Sequence, residues 1–144
     1  MSVIRVKNSL GSFDLLTINK LLKQLSSQDK SVDLQGLRSI LSQDNVFMFV
    51  FRQDQSSPIL GIVFLVKYQT ITGIHCRLED LVVDEACRGR GIGTALVLSC
   101  IKFAKSLSAE YLDLTSNPTR IYANKLYQKL GFQKRKTNVY RLKL

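Results

Sequence analysis

Leu81-Val82-Val83-Asp84-Glu85-Ala86-Cys87-Arg88-Gly89-Arg90-Gly91-Ile92-Gly93-Thr94-Ala95-Leu96 decides how this chain is read. An apolar strand runs into a loop of arginines and glycines, and the loop opens an amphipathic helix. Gly89, Gly91 and Gly93 let the backbone turn tightly and present its N–H groups. The helix behind them turns its positive dipole end to the same place. Strand, glycine loop and helix N-terminus together form a cradle for a diphosphate, with Arg88 and Arg90 adding charge. The ligand class this implies is a nucleotide-type cofactor.

Two better-known phosphate loops do not fit. Gly89-x-Gly91 matches the start of a dinucleotide fingerprint, but Thr94 stands where its third glycine belongs. That fingerprint also follows the first strand of a long α/β domain. The spacing G-x-x-x-x-G-K-[ST] is absent from the loop.

Outward from the loop, periodicity gives the other elements. Val3–Lys7 reads as a strand. Ser12 or Asp14 caps a helix carrying Leu15, Ile18, Leu21, Leu22 and Leu25, and the polar stretch 26–30 breaks it. Asp33 caps a second helix through Leu34, Leu37, Ile40 and Leu41. Val46–Arg52 and Ile59–Tyr68 form a hairpin of strands apolar on both faces, as a covered central sheet requires. Ile74–Val83 is a third long strand. Ile92, Ala95, Leu96, Ser99, Phe103 and Leu107 recur at helical spacing. Tyr111–Leu114 is a further strand. Pro118 sits near the start of a last helix that ends at Gly131. Phe132–Arg135 and Asn138–Leu144 read as a closing hairpin. The predicted order is β-α-α-β-β-β-α-β-α-β-β.

At 144 residues the chain reads as one domain over 1–144, long enough to bury roughly two thirds of its unfolded surface. The apolar content of 45% is ordinary for a globular protein. No apolar run reaches the ~18 residues of a membrane span, and the first residues lack a signal-peptide core. Cys76, Cys87 and Cys100 have no paired spacing and read as free thiols in a reducing cytoplasm. One histidine and scattered cysteines give no expectation of a metal site.

The net charge of +10 is unevenly placed. Eight Lys/Arg and no acid follow Ser116, whereas residues 1–116 hold thirteen basic and eleven acidic residues. This is either a solvated face or a positive field around an anionic ligand. No aromatic-plus-basic platform supports nucleic acid.

Arg88-Gly89-Arg90-Gly91-Ile92-Gly93 resembles the coenzyme A loop, Arg/Gln-x-x-Gly-x-Gly/Ala, of the GCN5-related N-acetyltransferases (GNAT superfamily). A second segment resembles the same family. Leu112-Asp113-Leu114-Thr115-Ser116-Asn117, then Ala123-Asn124-Lys125-Leu126-Tyr127-Gln128-Lys129-Leu130-Gly131-Phe132, is similar to its fifth strand, fourth helix and Tyr-x-x-x-Gly-Phe ending. The resemblance is specific over residues 59–135. It implies an α/β (α+β) fold: a mixed, mostly antiparallel sheet flanked by about four helices. It also implies acetyl-CoA as cosubstrate and direct acetyl transfer to a primary amine in a ternary complex. Coenzyme A carries roughly −4, which suits the basic C-terminal region. The competing reading is a non-catalytic acyl-CoA-binding regulatory module.

By the same resemblance, Leu81, Val82, Val83, Arg88, Gly89, Arg90, Gly91, Ile92, Gly93 and Thr94 hold the cofactor. A backbone N–H near Val82 or Val83 polarises the thioester oxygen. Asn117 and Asn124 match positions that bond the pantetheine arm or the substrate, though either also reads as a helix cap. Glu79 is placed as general base, since an amine is mostly protonated at neutral pH. It is in phase with His75, Arg77, Leu81 and Val83, while Asp80 faces the other side unless a bulge re-aims the strand. A salt bridge from Glu79 to Arg77 is the structural alternative. Tyr127 is placed as the acid for the departing thiolate, with core packing beside Leu130 and Phe132 as its alternative. His75 and Cys87 read as structural. The acceptor is a small-molecule amine, with an anionic one suited to the charge and a protein amine or a homodimer left open. Its specificity is expected from the N-terminal helices, the 70–73 turn and the last hairpin.

Overall fold

The computed structural model describes residues 2–7, 10–27 and 29–144. Gln28, in the expected polar break, lies outside them, as do Met1, Asn8 and Ser9. The elements are β1 (Ser2–Val6), α1 (Ser12–Leu25), α2 (Leu34–Leu41), β2 (Val46–Arg52), β3 (Gly61–Thr70), β4 (Gly73–Val83), α3 (Ile92–Ser106), β5 (Tyr111–Asp113) and α4 (Ile121–Lys129). A 3-10 turn at Glu85–Cys87 stands between β4 and α3. The strands lie in the order β1-β2-β3-β4-β5, antiparallel except for the β4–β5 pair. This is the expected mixed, mostly antiparallel sheet with four helices.

Strand alternation sends apolar side chains to both faces. Phe49, Phe51, Val63, Leu65 and Leu78 face α3 and α4, where they meet Leu96, Val97 and Tyr127. Met48, Val50, Ile62 and Val82 face α1 and α2, where they meet Ile18, Leu21 and Leu37. Fully burying each such side chain contributes about 1.5–3 kcal/mol. At Gly61 the sheet and α3 approach closely: a Cβ there would stand 3.0 Å from Leu96 Cδ1 and 3.1 Å from Ile92 Cγ2.

Polar contacts fix the N-terminal helices. The expected cap of α1 is shifted: Gly11 is the N-cap, and its N–H donates to Asp14 Oδ2 at 3.0 Å. Asp33 caps α2, accepting from the Gly36 N–H at 2.6 Å. Asp14 also pairs with the buried Arg52 at 3.1 Å, which ties α1 to β2. Lys20 of α1 reaches Asp84, just beyond β4, at 2.8 Å.

The last helix starts at Ile121, near Pro118 as expected, after residues 117–120 form a turn closed by the Arg120 N–H on Asn117 O at 3.0 Å. One expectation needs correction. The closing hairpin is absent: residues 133–144 form no strand and are exposed, with Val139, Tyr140, Leu142 and Leu144 all in solvent. Alternation without a face to bury supplies no force for pairing.

Candidate active site

The loop after β4 is delivered by Asp84. Its N–H donates to Leu60 O at 2.8 Å, and its side chain accepts from the Ala86 N–H at 3.0 Å. Lys20 holds the carboxyl of this buried aspartate below the usual range. Gly89 and Gly91 then take φ of +78° and +79°, the left-handed region that favours glycine. A Cβ at either would meet nothing within 4 Å, so both open onto solvent. Among the described residues, the amides of Gly89, Arg90, Gly91, Ile92, Gly93 and Thr94 donate to no acceptor. The first helical amide with a partner is that of Ala95, bonded to Gly91 O at 3.0 Å. A row of unpaired amides at the start of a fifteen-residue helix is an anion site by construction. Arg90 stands free in solvent, while Arg88 turns back to Val83 O at 3.3 Å.

The sheet opens beside this loop. β5 pairs with β4 only through His75↔Tyr111, Cys76↔Leu112 and Arg77↔Asp113. Beyond Arg77 the two strands part, leaving β4 without a neighbour on that side up to Val83. Since the Asp84 N–H points to β3, ladder alternation turns the Val82 N–H to β3 and the Val83 N–H into the opening. Of these two amides, that of Val83 is therefore the one that faces the opening.

β4 carries a bulge. Ile62 pairs with Val82 and Phe64 with Glu79, so Val63 faces both Asp80 and Leu81. Asp80 takes φ +53° to make room for the extra residue. The bulge reverses parity along the strand. Leu81 and Val83, expected in phase with Glu79, pack with the α3 cluster instead, and Val82 crosses to the α1/α2 cluster. Glu79 and Asp80 both line a cleft of about 550 Å³ between α1, α2 and the sheet. Desolvation by the cleft walls and the neighbouring Glu79 charge raise the Asp80 carboxyl above its usual range, with Lys30 pulling the other way.

The sequence of residues 14–132 matches the acetyltransferase (GNAT) family. The chain belongs to this family. Its members transfer an acyl group and generally use acetyl-CoA as cosubstrate. A curated relative, the uncharacterized N-acetyltransferase YvbK of Bacillus subtilis (strain 168), is 31% identical over 52% of the chain. The chain spans less than half of that relative, 46% of its length. Among solved structures, an acetyltransferase of Trypanosoma brucei aligns over 99% of this chain and 100% of its own, with a TM-score of 0.80 at 25% identity. The fold is also that of the aminoglycoside 6'-N-acetyltransferase of Acinetobacter haemolyticus, with a TM-score of 0.76 at 19% identity over 100% of this chain and 99% of that one.

The remaining candidate residues of this GNAT chain divide into those at the opening and those elsewhere. Tyr127 is buried on α4 within the α3 cluster, its ring edge-on to Phe132 at 5.9 Å. Its hydroxyl has no partner among the described residues, and burial raises its pKa. Glu79 Oε1 accepts from Arg77 Nε at 2.8 Å, so the alternative weighed for it is realised; its second oxygen has no described partner. Asn117 and Asn124 are engaged locally. Asn117 Oδ1 accepts from the Thr119 N–H and hydroxyl, and Asn124 Nδ2 donates to Asn117 O and Arg120 O, all at 2.9 Å. His75 is buried at the far end of β4, stacked on Tyr111 at 4.2 Å and bonded to the Thr72 hydroxyl at 3.2 Å. Cys76 and Cys100 fill the core, where burial pushes the Cys100 thiol up to about 12. Cys87 is half-buried in the 3-10 turn.

Sequence reasoning set Asp80 aside because alternation turns it away. Its only signal was the bulge condition attached to that strand.

Proposed function

We propose that this GNAT chain catalyses direct transfer of the acetyl group of acetyl-CoA to a primary amine. The observation that carries the reading is that β4 is flanked by two different openings. On one side are the unpaired loop amides and the gap between β4 and β5; on the other is a cleft ending in the carboxylates of Glu79 and Asp80. An anionic, extended cosubstrate and a cationic acceptor would meet at the bulge between them.

The residues present fit coenzyme A. The amides of Gly89 to Thr94, with Arg90, would hold the diphosphate, and the edge of β4 from Leu81 to Val83 would take the pantetheine as a strand. Bound acetyl-CoA supplies the thioester carbon that the amine attacks. Glu79 takes the proton from the ammonium, with Arg77 orienting its carboxylate and leaving one oxygen for the amine. The N–H of Val83 donates to the carbonyl oxygen, where negative charge grows. Tyr127, protonated throughout the neutral range, gives its proton to the thiolate as the C–S bond breaks, and recovers one from the nitrogen, which sheds its second proton to become the amide.

The Arg77–Glu79 pair and the local use of Asn117 and Asn124 favour a second reading, a non-catalytic acyl-CoA-binding module. Thiol release from acetyl-CoA separates the two. The transferase releases thiol in proportion to added amine and loses this in Tyr127→Phe. The binding module takes up acetyl-CoA and releases none.

A further inference from the structure

The cleft on the α1/α2 face differs in chemistry from the opening on the coenzyme A side. Ile18, Leu22 and Leu25 of α1, Ile40 of α2, and Phe64 and Val66 of β3 wall it; Lys30 is the cation among its described lining residues, and Arg77 is held on Glu79 from outside the lining. None of the eight basic residues after Ser116 lines it. Its shape is built in. Asn19 grips Val32 of the α1–α2 connection in both directions, donating to Val32 O and accepting from the Val32 N–H, each at 2.9 Å. The Asp14–Arg52 and Lys20–Asp84 pairs hold α1 against the sheet. The anionic end is fixed by the bulge, which puts Glu79 and Asp80 side by side.

We propose that the acceptor is a small primary amine with an extended apolar body, an alkylamine or arylalkylamine, seated in this cleft with its amino group at Glu79 and Asp80. The inference rests on the transferase reading above and names the substrate class of that site. An ammonium group meets two carboxylates, and the rest of the molecule meets Leu, Ile, Val and Phe. The volume of about 550 Å³ is in the range of small-ligand sites. An amino sugar or aminoglycoside would bring several hydroxyls or further ammonium groups against walls whose polar side chains, besides the two carboxylates, are Ser26, Lys30 and Ser31, too few to bond them all, and unpaired buried polar groups are costly. A polyamine would bury its second charge in the apolar part. An anionic amine would bring its negative charge toward two carboxylates, against Lys30 and an Arg77 already engaged by Glu79.

The test is a series of n-alkylamines from propylamine to hexylamine, with 1,6-diaminohexane and glucosamine as comparisons. Two quantities are read on the full chain: thiol release from acetyl-CoA, and calorimetric binding of each amine to the protein saturated with coenzyme A. Each added methylene should raise kcat/KM and affinity about fourfold until the cleft is filled. Diaminohexane should be at least about tenfold poorer than hexylamine. Val66→Thr, nearly isosteric, should flatten the chain-length gradient while coenzyme A binding is unchanged. A flat gradient in the parent overturns the proposal. So does preference for glucosamine, for diaminohexane or for a peptide amine, and in these cases the transferase reading stands. A clear binding gradient without thiol release leaves the apolar-amine site standing and sinks the transferase reading instead.

Discussion

Glu79 and Asp80 are consecutive in the chain and yet line the same cleft, because the bulge opposite Val63 breaks the alternation of β4 between them. Burial and the Glu79 charge beside it raise the Asp80 carboxyl above its usual range. Glu79→Gln is expected to lower kcat by about 100- to 10,000-fold. Asp80→Asn should cost much less, since the base itself is untouched. Asparagine tolerates the φ of +53° at this position, so melting temperature should hold. The reverse order of losses assigns the proton transfer to Asp80.

Tyr127 tests whether a core side chain also serves chemistry. Phenylalanine keeps the ring against Phe132 and removes only the hydroxyl, which has no described partner. Tyr127→Phe should lose turnover by about 100-fold or more with an unchanged melting temperature. Unchanged turnover would mean that the tyrosine only packs. Because burial raises its pKa, no loss of activity from its ionisation is expected below its ordinary value of 10.0.

Lys20 and Asp84 link α1 to the start of the Arg/Gly loop. The Asp84 carboxyl is lowered by Lys20, so its contribution to stability is present above 3.8 and is lost as pH falls through the lowered value. The Lys20 ammonium is raised by Asp84, so its contribution is present below 10.5 and is lost as pH rises through the raised value. Lys20→Met should melt below the parent at pH 7, and the difference should close in acid below 3.8. A difference that persists in acid would trace it to packing of the lysine stem.

Ser108, just past the C-terminus of α3, holds φ +57° while the Ala109 N–H closes back on Ala104 O at 3.2 Å. This is the left-handed cap that glycine takes without strain. Ser108→Gly should stabilise the chain by about 1 kcal/mol, a rise of roughly 2–4 °C in Tm. Turnover should not change. A fall in Tm would show that the serine side chain contributes more than its backbone costs.

The strand, Arg/Gly loop and helix start from Leu81 to Leu96 were legible in the sequence because every part of them is local. Three glycines, a preceding strand and a following helix act within sixteen residues. The elements from β1 to α4 were equally readable from periodicity and caps such as Asp33. The bulge was not, because it exists only as the register of β4 against β3. That register moved Val82 to the α1/α2 face and Leu81 and Val83 away from it. The closing hairpin was over-read: Val139 and Leu142 suggest a strand, but no apolar surface receives them. Pro118 marked the neighbourhood of the start of α4 but not its first residue, because it sits in the turn that Asn117 caps, three residues before the helix.

The central claim is that the amides from Gly89 to Thr94 and the free edge of β4 at Val83 form the seat for coenzyme A. Amide NMR of the nitrogen-15-labelled chain during titration with coenzyme A measures those groups directly. Gly89, Gly91, Gly93 and Val83 should show the largest amide shifts, and Arg90→Glu should weaken the affinity without altering the unbound spectrum beyond its neighbours. Saturable binding that leaves these amides unmoved, with shifts confined to other elements, would contradict the account.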